Sequence, residues 1–380
     1  MNDDIYMRYS RPVQMVLALL KHALSGGEVC HDVFAGATDA DWQACHRLAV
    51  EQGVMAMAWE GVAALPADLL PPRALKLTWA MAVEKYEERY AHYCRTVHEL
   101  TELLRPHGIG LMQLKGVGFS THYPVPAHRE GGDIDVRLYS LDTTRMSDEE
   151  ALALAERLME ERGIEVDREH SKKHNTFRYR GIMIENHKAF LNVYNTHEAV
   201  PLEKYLHEHT EPVEVALQGG EYPISVPSDA FNAVFIGFHA AQHYGNGLSL
   251  HHLCDWACLM KDGAWGLLPT ELMAPRVLRF FCALTGLAHR YLGVPVEVEF
   301  DESFAEEMLH EMVAPAYPSV PATAFGNNPI RIFVYKFRRL YHNSCLRGQV
   351  FDTNFMSRLW LAVKNNYWRP ARLFRVTWDK

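Results

Sequence analysis

Leu114–Val136, LKGVGFSTHYPVPAHREGGDIDV, sets a glycine-rich turn and two spaced aspartates between apolar segments. Its glycine-rich turn, Lys115-Gly116-Val117-Gly118, follows directly on a short apolar run, Ile109–Leu114. It closes on Asp133 and Asp135, one residue apart in an alternating segment that runs to Leu138. A short apolar run before a tight turn reads as a buried strand, and the alternation reads as a second strand. Residues i and i+2 of a strand point to the same face, so the two carboxylates stand side by side. Such a pair repels itself unless a cation lies between its members. Oxygen-only ligation of this kind suits Mg²⁺ or Mn²⁺, which takes one or two carboxylates together with water and phosphate oxygens. Without the rest of the stretch, the pair would read as two solvated acids at a strand end.

The surroundings favour the metal reading. Gly116 and Gly118 let backbone N–H groups close around phosphates, helped by a helical turn if Phe119 begins one. Lys115 adds a point charge for the same phosphates, and Arg129 offers a fork that binds phosphate in bidentate fashion. Gly131 and Gly132, just ahead of the acids, allow close approach of the backbone to a ligand. A third acid stands in IMIENHKAF, where Glu185 and His187 share a face opposite Ile182 and Ile184. Glu185 then completes a metal triad or acts as a general base, the plain alternative being an edge-strand acid.

Outward from this centre the chain reads as helix on both sides. Val13–Leu24 is apolar and stops at Gly26–Gly27; Thr38–Asp39 marks an N-cap; Pro71–Pro72 opens a long helix to about Leu104 that ends at Pro106–Gly108. Ser147 or Asp148 caps a helix to about Arg162, an extended piece starts at Gly163, and Thr176–Arg180 with Ile182–His187 reads as a hairpin turning at Arg180–Gly181. After Pro227 helix returns, through Ala230–His243 and Leu250–Lys261 to the end. The expected class is α+β: a helical subdomain over residues 1–108, a core with a small mixed or antiparallel sheet over 109–226, and a helical subdomain with a basic tail over 227–380.

Composition narrows the function classes. With 380 residues, 48% of them apolar, the chain can bury a sizeable core in two or three units. No apolar run approaches the ~18–20 residues of a membrane span, and MNDDIYMRYSR lacks the features of a signal peptide. Seven cysteines, an odd number without a CxxC, point to reduced thiols and a cytoplasmic protein. Cys254 and Cys258 read as small packing residues. The net charge of −9 is uneven, because Asn328–Lys380 carries eleven Lys/Arg against two acids. An anionic partner such as nucleic acid is compatible with that tail but not favoured, since no reading module accompanies the charge and its aromatics suit helix packing. The basic stretch SKKHNTFRYR reads mainly as solvated charge, with alternate members able to face phosphates.

A second constellation comprises His239, His243, His251, His252 and Asp255. His239 and His243 are i, i+4 on one helix face, a metal-ligand spacing, but HAAQH lacks the glutamate of HExxH. Three readings stay open: a helical cap facing the acidic site, histidines with satisfied hydrogen bonds, or a separate transition-metal site.

LKG, then Tyr123-Pro124, then R-x-x-G-D-I-D-V resembles the uncharacterised nucleotidyltransferase family of bacteria, a branch of the DNA polymerase β-like superfamily. DWQACHRLAVEQGVMAMAWEGV and FHAAQHYGNGLSLHHLCDWACLM resemble that family's flanking helices, so the likeness covers roughly residues 40–260. It implies the superfamily fold and transfer of a nucleoside monophosphate from an NTP, ATP first among them, to an acceptor with release of pyrophosphate. Asp133 and Asp135 match the paired metal acids, Glu185 the third, and Gly116 the glycine of the superfamily's Gly-Ser turn. The chain departs from the wider pattern in having Lys115-Gly116 there, with 17 positions from Gly116 to Asp133. The expected nucleotide contacts are Lys115, Gly116, Gly118 and Arg129, with His187, His239, His243 and Asp255 as accessory groups. The acceptor is left open among small molecules, peptides, proteins and RNA. The competing readings are a metallohydrolase or metal-binding protein centred on His239, His243 and Asp255, and a catalytically silent nucleotide-binding module.

Overall fold

A computed structural model describes residues 8–168, 173–194, 196–217 and 223–366. The N-terminal MNDDIYM, Lys172 of the basic stretch, and Tyr367, Trp368, Phe374 and Trp378 of the tail lie outside the described residues.

Local signals place the elements. Helix α1 (Arg11–Ser25) ends on Gly26 in the left-handed region. Thr38 and Asp41 form a reciprocal capping box at the start of α2 (Asp39–Glu51), and α3 (Met55–Ala64) follows. The long α4 (Arg73–Leu104) begins just after Pro72. Strand β1 (Ile109–Gln113) is buried throughout, and a short 3₁₀ turn at Phe119–His122 precedes β2 (Ile134–Ser140). Ser147 and Glu150 form a second capping box at α5 (Asp148–Glu160). Then come β3 (Val166–Asp167), β4 (His174–Tyr179) and β5 (Ile182–His187), the last two joined at Arg180 and Gly181, both with positive φ. Next are α6 (Ala199–Glu208), β6 (Val213–Ala216) and β7 (Pro223–Val226). The remainder is helical: α7 (Asp229–His243), α8 (Leu250–Lys261), α9 (Pro275–Leu292), α10 (Glu302–Val313), α11 (Pro329–Gly348) and α12 (Phe355–Asn366). The protein is thus α+β, with helical regions at both ends of the chain.

The strands form one mixed sheet in the order β3-β4-β5-β2-β1-β7-β6. β2 is antiparallel to β1 and parallel to β5, which sets Asp135 beside Glu185 in register. β7 runs parallel to β1 on its other side. Alternation sorts the side chains into two layers. Leu111, Ile134, Val136, Leu138, Ile182 and Ile184 pack with the second half of α4 and with α5. Met112 and Leu114 face the other way, into a larger core that contains Phe231, Phe235 and Phe238 of α7. That larger core also joins α1–α3 to α8–α10, so helices from the two ends of the chain share one apolar interior. Cys254 and Cys258 are buried in it as packing residues. Among the described residues no helix is long and apolar enough to cross a membrane. On α11 and α12 the aromatics touch one another, as Phe337 and Tyr341 do against Phe355, yet Tyr341 and Trp360 stay exposed.

Candidate active site

The site is the face of β2 and β5 turned away from α4 and α5. The isoleucine and valine positions of each strand are taken by the apolar layer, so Asp135, Glu185 and His187 fall on the opposite face by the period of two. Asp133 precedes β2 by one residue and is half-buried.

Asp135 is almost wholly buried, and two groups hold its Oδ1: the Nε2–H of His187 donates at 2.8 Å and the Lys115 ammonium lies at 3.1 Å. Burial alone would raise its pKa, but Lys115 and His187 more than reverse this and hold the carboxyl well below the usual range. The reciprocal effect acts on Lys115: burial lowers its pKa, while Asp135 and Asp133 outweigh burial and keep the ammonium charged. Burial pushes His187 down to about 4, so the imidazole is neutral and acts as a donor to Asp135.

Glu185 has the opposite character. Burial first, then the charges of Asp133 and Asp135, raise its pKa to about 7. Its carboxylate lies 3.2 Å from His174 Nδ1 and 3.9 Å from His187 Nε2. His174, Glu185 and His187 bring one ligating atom each within 4.8 Å of the others. Three carboxylates on one face, one of them free to ionise only at a cost, form a set that a divalent cation would relieve.

The glycine turn lies along this face. Gly116 adopts φ +63, a left-handed backbone that disfavours any side chain. Gly118 is also closely packed, because a Cβ there would press on the Gln113 carbonyl oxygen and Val226 at 3.0 Å. The Gln113 side chain is fully buried beside Gly116, and its amide makes no hydrogen bond among the described residues. Arg129 braces the turn from behind: Nη1 donates to the Gly116 carbonyl at 3.2 Å, while Nε and Nη2 donate to the two oxygens of Asp255 at 2.8 Å each. Tyr123 also donates to Asp255, at 2.5 Å. Arg129 and Asp255 are both buried, so this fork ties the turn to α8.

The wall opposite the acids is α7. The Lys115 and Lys173 ammoniums lie 6.0 and 5.9 Å from the Phe235 ring centroid, and His187 meets the same ring edge-on. Lys173 belongs to the stretch read as solvated charge, yet burial, with Lys115 nearby, lowers its pKa to about 8. His174 from the same stretch joins Glu185. Arg178 is exposed, and Arg180 pairs with Glu99 at the surface, as solvated charge does. No composition signal distinguishes these four residues, and strand parity does not either, since His174 and Arg178 share a face; position along the hairpin does, because His174 pairs across from His187 and Arg178 from Met183.

His239 and His243 sit on α7, one and two turns beyond Phe235, and both feel the charges of Lys115 and Lys173. Their third neighbour is His252, not Asp255, which is held by Arg129.

Residues 38–293 match a protein-family model described as an uncharacterised nucleotidyltransferase. No curated protein matches the chain.

Proposed function

Because the chain belongs to the uncharacterised nucleotidyltransferase family, we propose that it transfers a nucleoside monophosphate from an NTP, ATP being the expected donor, to an acceptor nucleophile. The observation that carries this reading is the state of Asp135: His187 and Lys115 hold its buried carboxylate at Oδ1, in register beside Glu185 and one residue from Asp133 on the same face.

The donor set fits a hard divalent ion, because Asp133, Asp135 and Glu185 offer oxygens and are crowded enough to need a cation. Bound there, Mg²⁺ or Mn²⁺ would neutralise phosphate charge and stabilise the attacking and leaving oxygens. Lys115 keeps Asp135 ionised and presents its charge to the phosphates from the same turn. Gly116 and Gly118 allow backbone N–H groups to reach phosphate oxygens, and Arg129 holds the turn in place from the α8 side. An acceptor oxygen attacks the α-phosphorus, the bond to the bridging β-oxygen breaks, and pyrophosphate leaves with that electron pair. The acceptor's proton passes to Glu185 in a state in which that carboxylate is not itself coordinated to the ion. Lys173 and Phe235 close the site on the α7 side and limit water. The acceptor belongs to the broad class of small molecules, peptides, proteins or RNA.

The test is incubation of the purified chain with labelled NTPs, Mg²⁺ and a panel of acceptors, reading pyrophosphate release and label transfer. The wild type is expected to turn over and D133A/D135A to fall to background. Equal activity of the two proteins would sink the proposal.

A further inference from the structure

The three-histidine cluster at the junction of α7 and α8 is not absorbed by the chemistry above. His239 and His243 are one helical turn apart near the end of α7, and His252 is the third residue of α8. The intervening loop folds α8 back so that the rings converge, with centroid separations of 4.5 Å for His239–His243, 4.6 Å for His243–His252 and 5.6 Å for His239–His252. One ring nitrogen of each lies within 4.8 Å of the other two. We propose that His239, His243 and His252 form a binding site for a nitrogen-preferring divalent transition metal of the Zn²⁺ class, separate from the carboxylate site.

Zinc–imidazole bonds of about 2.0–2.1 Å in a tetrahedron put ligand nitrogens roughly 3.3 Å apart, which small rotations of converging rings can reach. The donors are nitrogen only, which selects Zn²⁺ over Mg²⁺. The rings are in the required state, because burial lowers the pKa of all three and leaves the imidazoles neutral. They are also uncommitted: neither His239 nor His243 makes a side-chain hydrogen bond to a described residue, and each stays partly accessible to solvent. His252 has an outer partner. Its Nδ1 accepts from the Ser249 backbone N–H at 3.2 Å and lies 3.0 Å from the Ser249 hydroxyl, which fixes the ring at the start of α8. Three protein ligands leave one position open. The ammoniums of Lys115 and Lys173 act on the cluster, so an anionic fourth ligand, hydroxide or a phosphate oxygen, is favoured there.

The full-length protein, stripped with a chelator, would be titrated with Co²⁺ and then with Zn²⁺. One equivalent of Co²⁺ should give the intense ligand-field bands of a tetrahedral site, and Zn²⁺ should bleach them. H239A/H243A should lose the bands, with affinity falling by more than the roughly 10–100-fold that loss of an outer partner costs. E185Q/H187Q, which disables the other group of close ligands, should keep them. Wild type without tetrahedral bands, or bands that vanish in E185Q/H187Q and persist in H239A/H243A, would overturn the assignment. If H239A/H243A does not fold by circular dichroism, the wild-type and E185Q/H187Q titrations still decide it. Neither titration reads nucleotide transfer, so the result stands apart from the transferase proposal.

Discussion

Glu185 should destabilise the metal-free protein at alkaline pH, and E185Q should remove that penalty. Its carboxyl rises from an ordinary value of 4.5 to about 7 on folding, through burial first and then through Asp133 and Asp135. A raised acid pKa means that the folded state binds the proton more tightly than the unfolded chain does. The penalty is therefore absent below about pH 4.5, grows between 4.5 and 7, and is complete above 7. At about 1.4 kcal/mol per pKa unit the full effect is on the order of 3 kcal/mol at pH 8 and under about 1 kcal/mol at pH 5. The side chain is only 23% exposed, so solvent screening takes away a minor part of this. The measurement is urea denaturation of wild type and E185Q in excess chelator at both pH values. The advantage of E185Q over wild type should grow by roughly 2–3 kcal/mol from pH 5 to pH 8. A pH-independent difference, or one that shrinks as pH rises, would mean that Glu185 is not crowded by the two aspartates and that the shared carboxylate face is misread.

Other outcomes follow from the same geometry. Lys115 and Asp135 are a buried pair at 3.1 Å, so K115M and D135N should each cost about 3–5 kcal/mol, while K115M/D135N should cost clearly less than their sum; strict additivity in this double-mutant cycle would refute the pairing. R129K keeps the charge but loses the fork to Asp255 and the contact to the Gly116 carbonyl; it should destabilise by about 2 kcal/mol or more and weaken nucleotide binding measured by calorimetry, whereas unchanged binding would separate Arg129 from the turn. On α7, a Cβ at Gly237 would lie 2.5 Å from the buried Phe281 ring and 2.7 Å from Trp256. G237A should therefore lower stability by roughly 1–3 kcal/mol, and a thermal midpoint equal to wild type would contradict that packing.

Much of this architecture is set by interactions that reach only a few residues. Thr38 with Asp41 and Ser147 with Glu150 cap their helices locally, so their starts are legible in the sequence. Gly26 stops α1 in the same way. The period of two places Glu185 and His187 on the face opposite Ile182 and Ile184 before any partner strand is known. The short strands β6 and β7 and helix α6 give no such signal. β6 is four residues long and largely exposed, so its brief V-E-V alternation is too short to mark a strand, and pairing with β7 defines it.

Local sequence therefore carries an inventory: helices at both ends, strands in the middle, a glycine turn, and acids whose face follows from parity. Which of these meet depends on packing between distant segments. Asp135 and Glu185 are fifty residues apart in sequence and adjacent through the parallel β2–β5 pairing. Arg129 is claimed by Asp255 from α8, and His252 takes the place beside His239 and His243 that the sequence offered to Asp255. Lys173, which composition reads as surface charge, is drawn against Phe235 by the helix that covers the sheet. The difference is one of range. Capping and periodicity act within a turn or a strand, whereas the choice of partner depends on how the whole chain buries its apolar surface, and that is settled only when distant segments pack together.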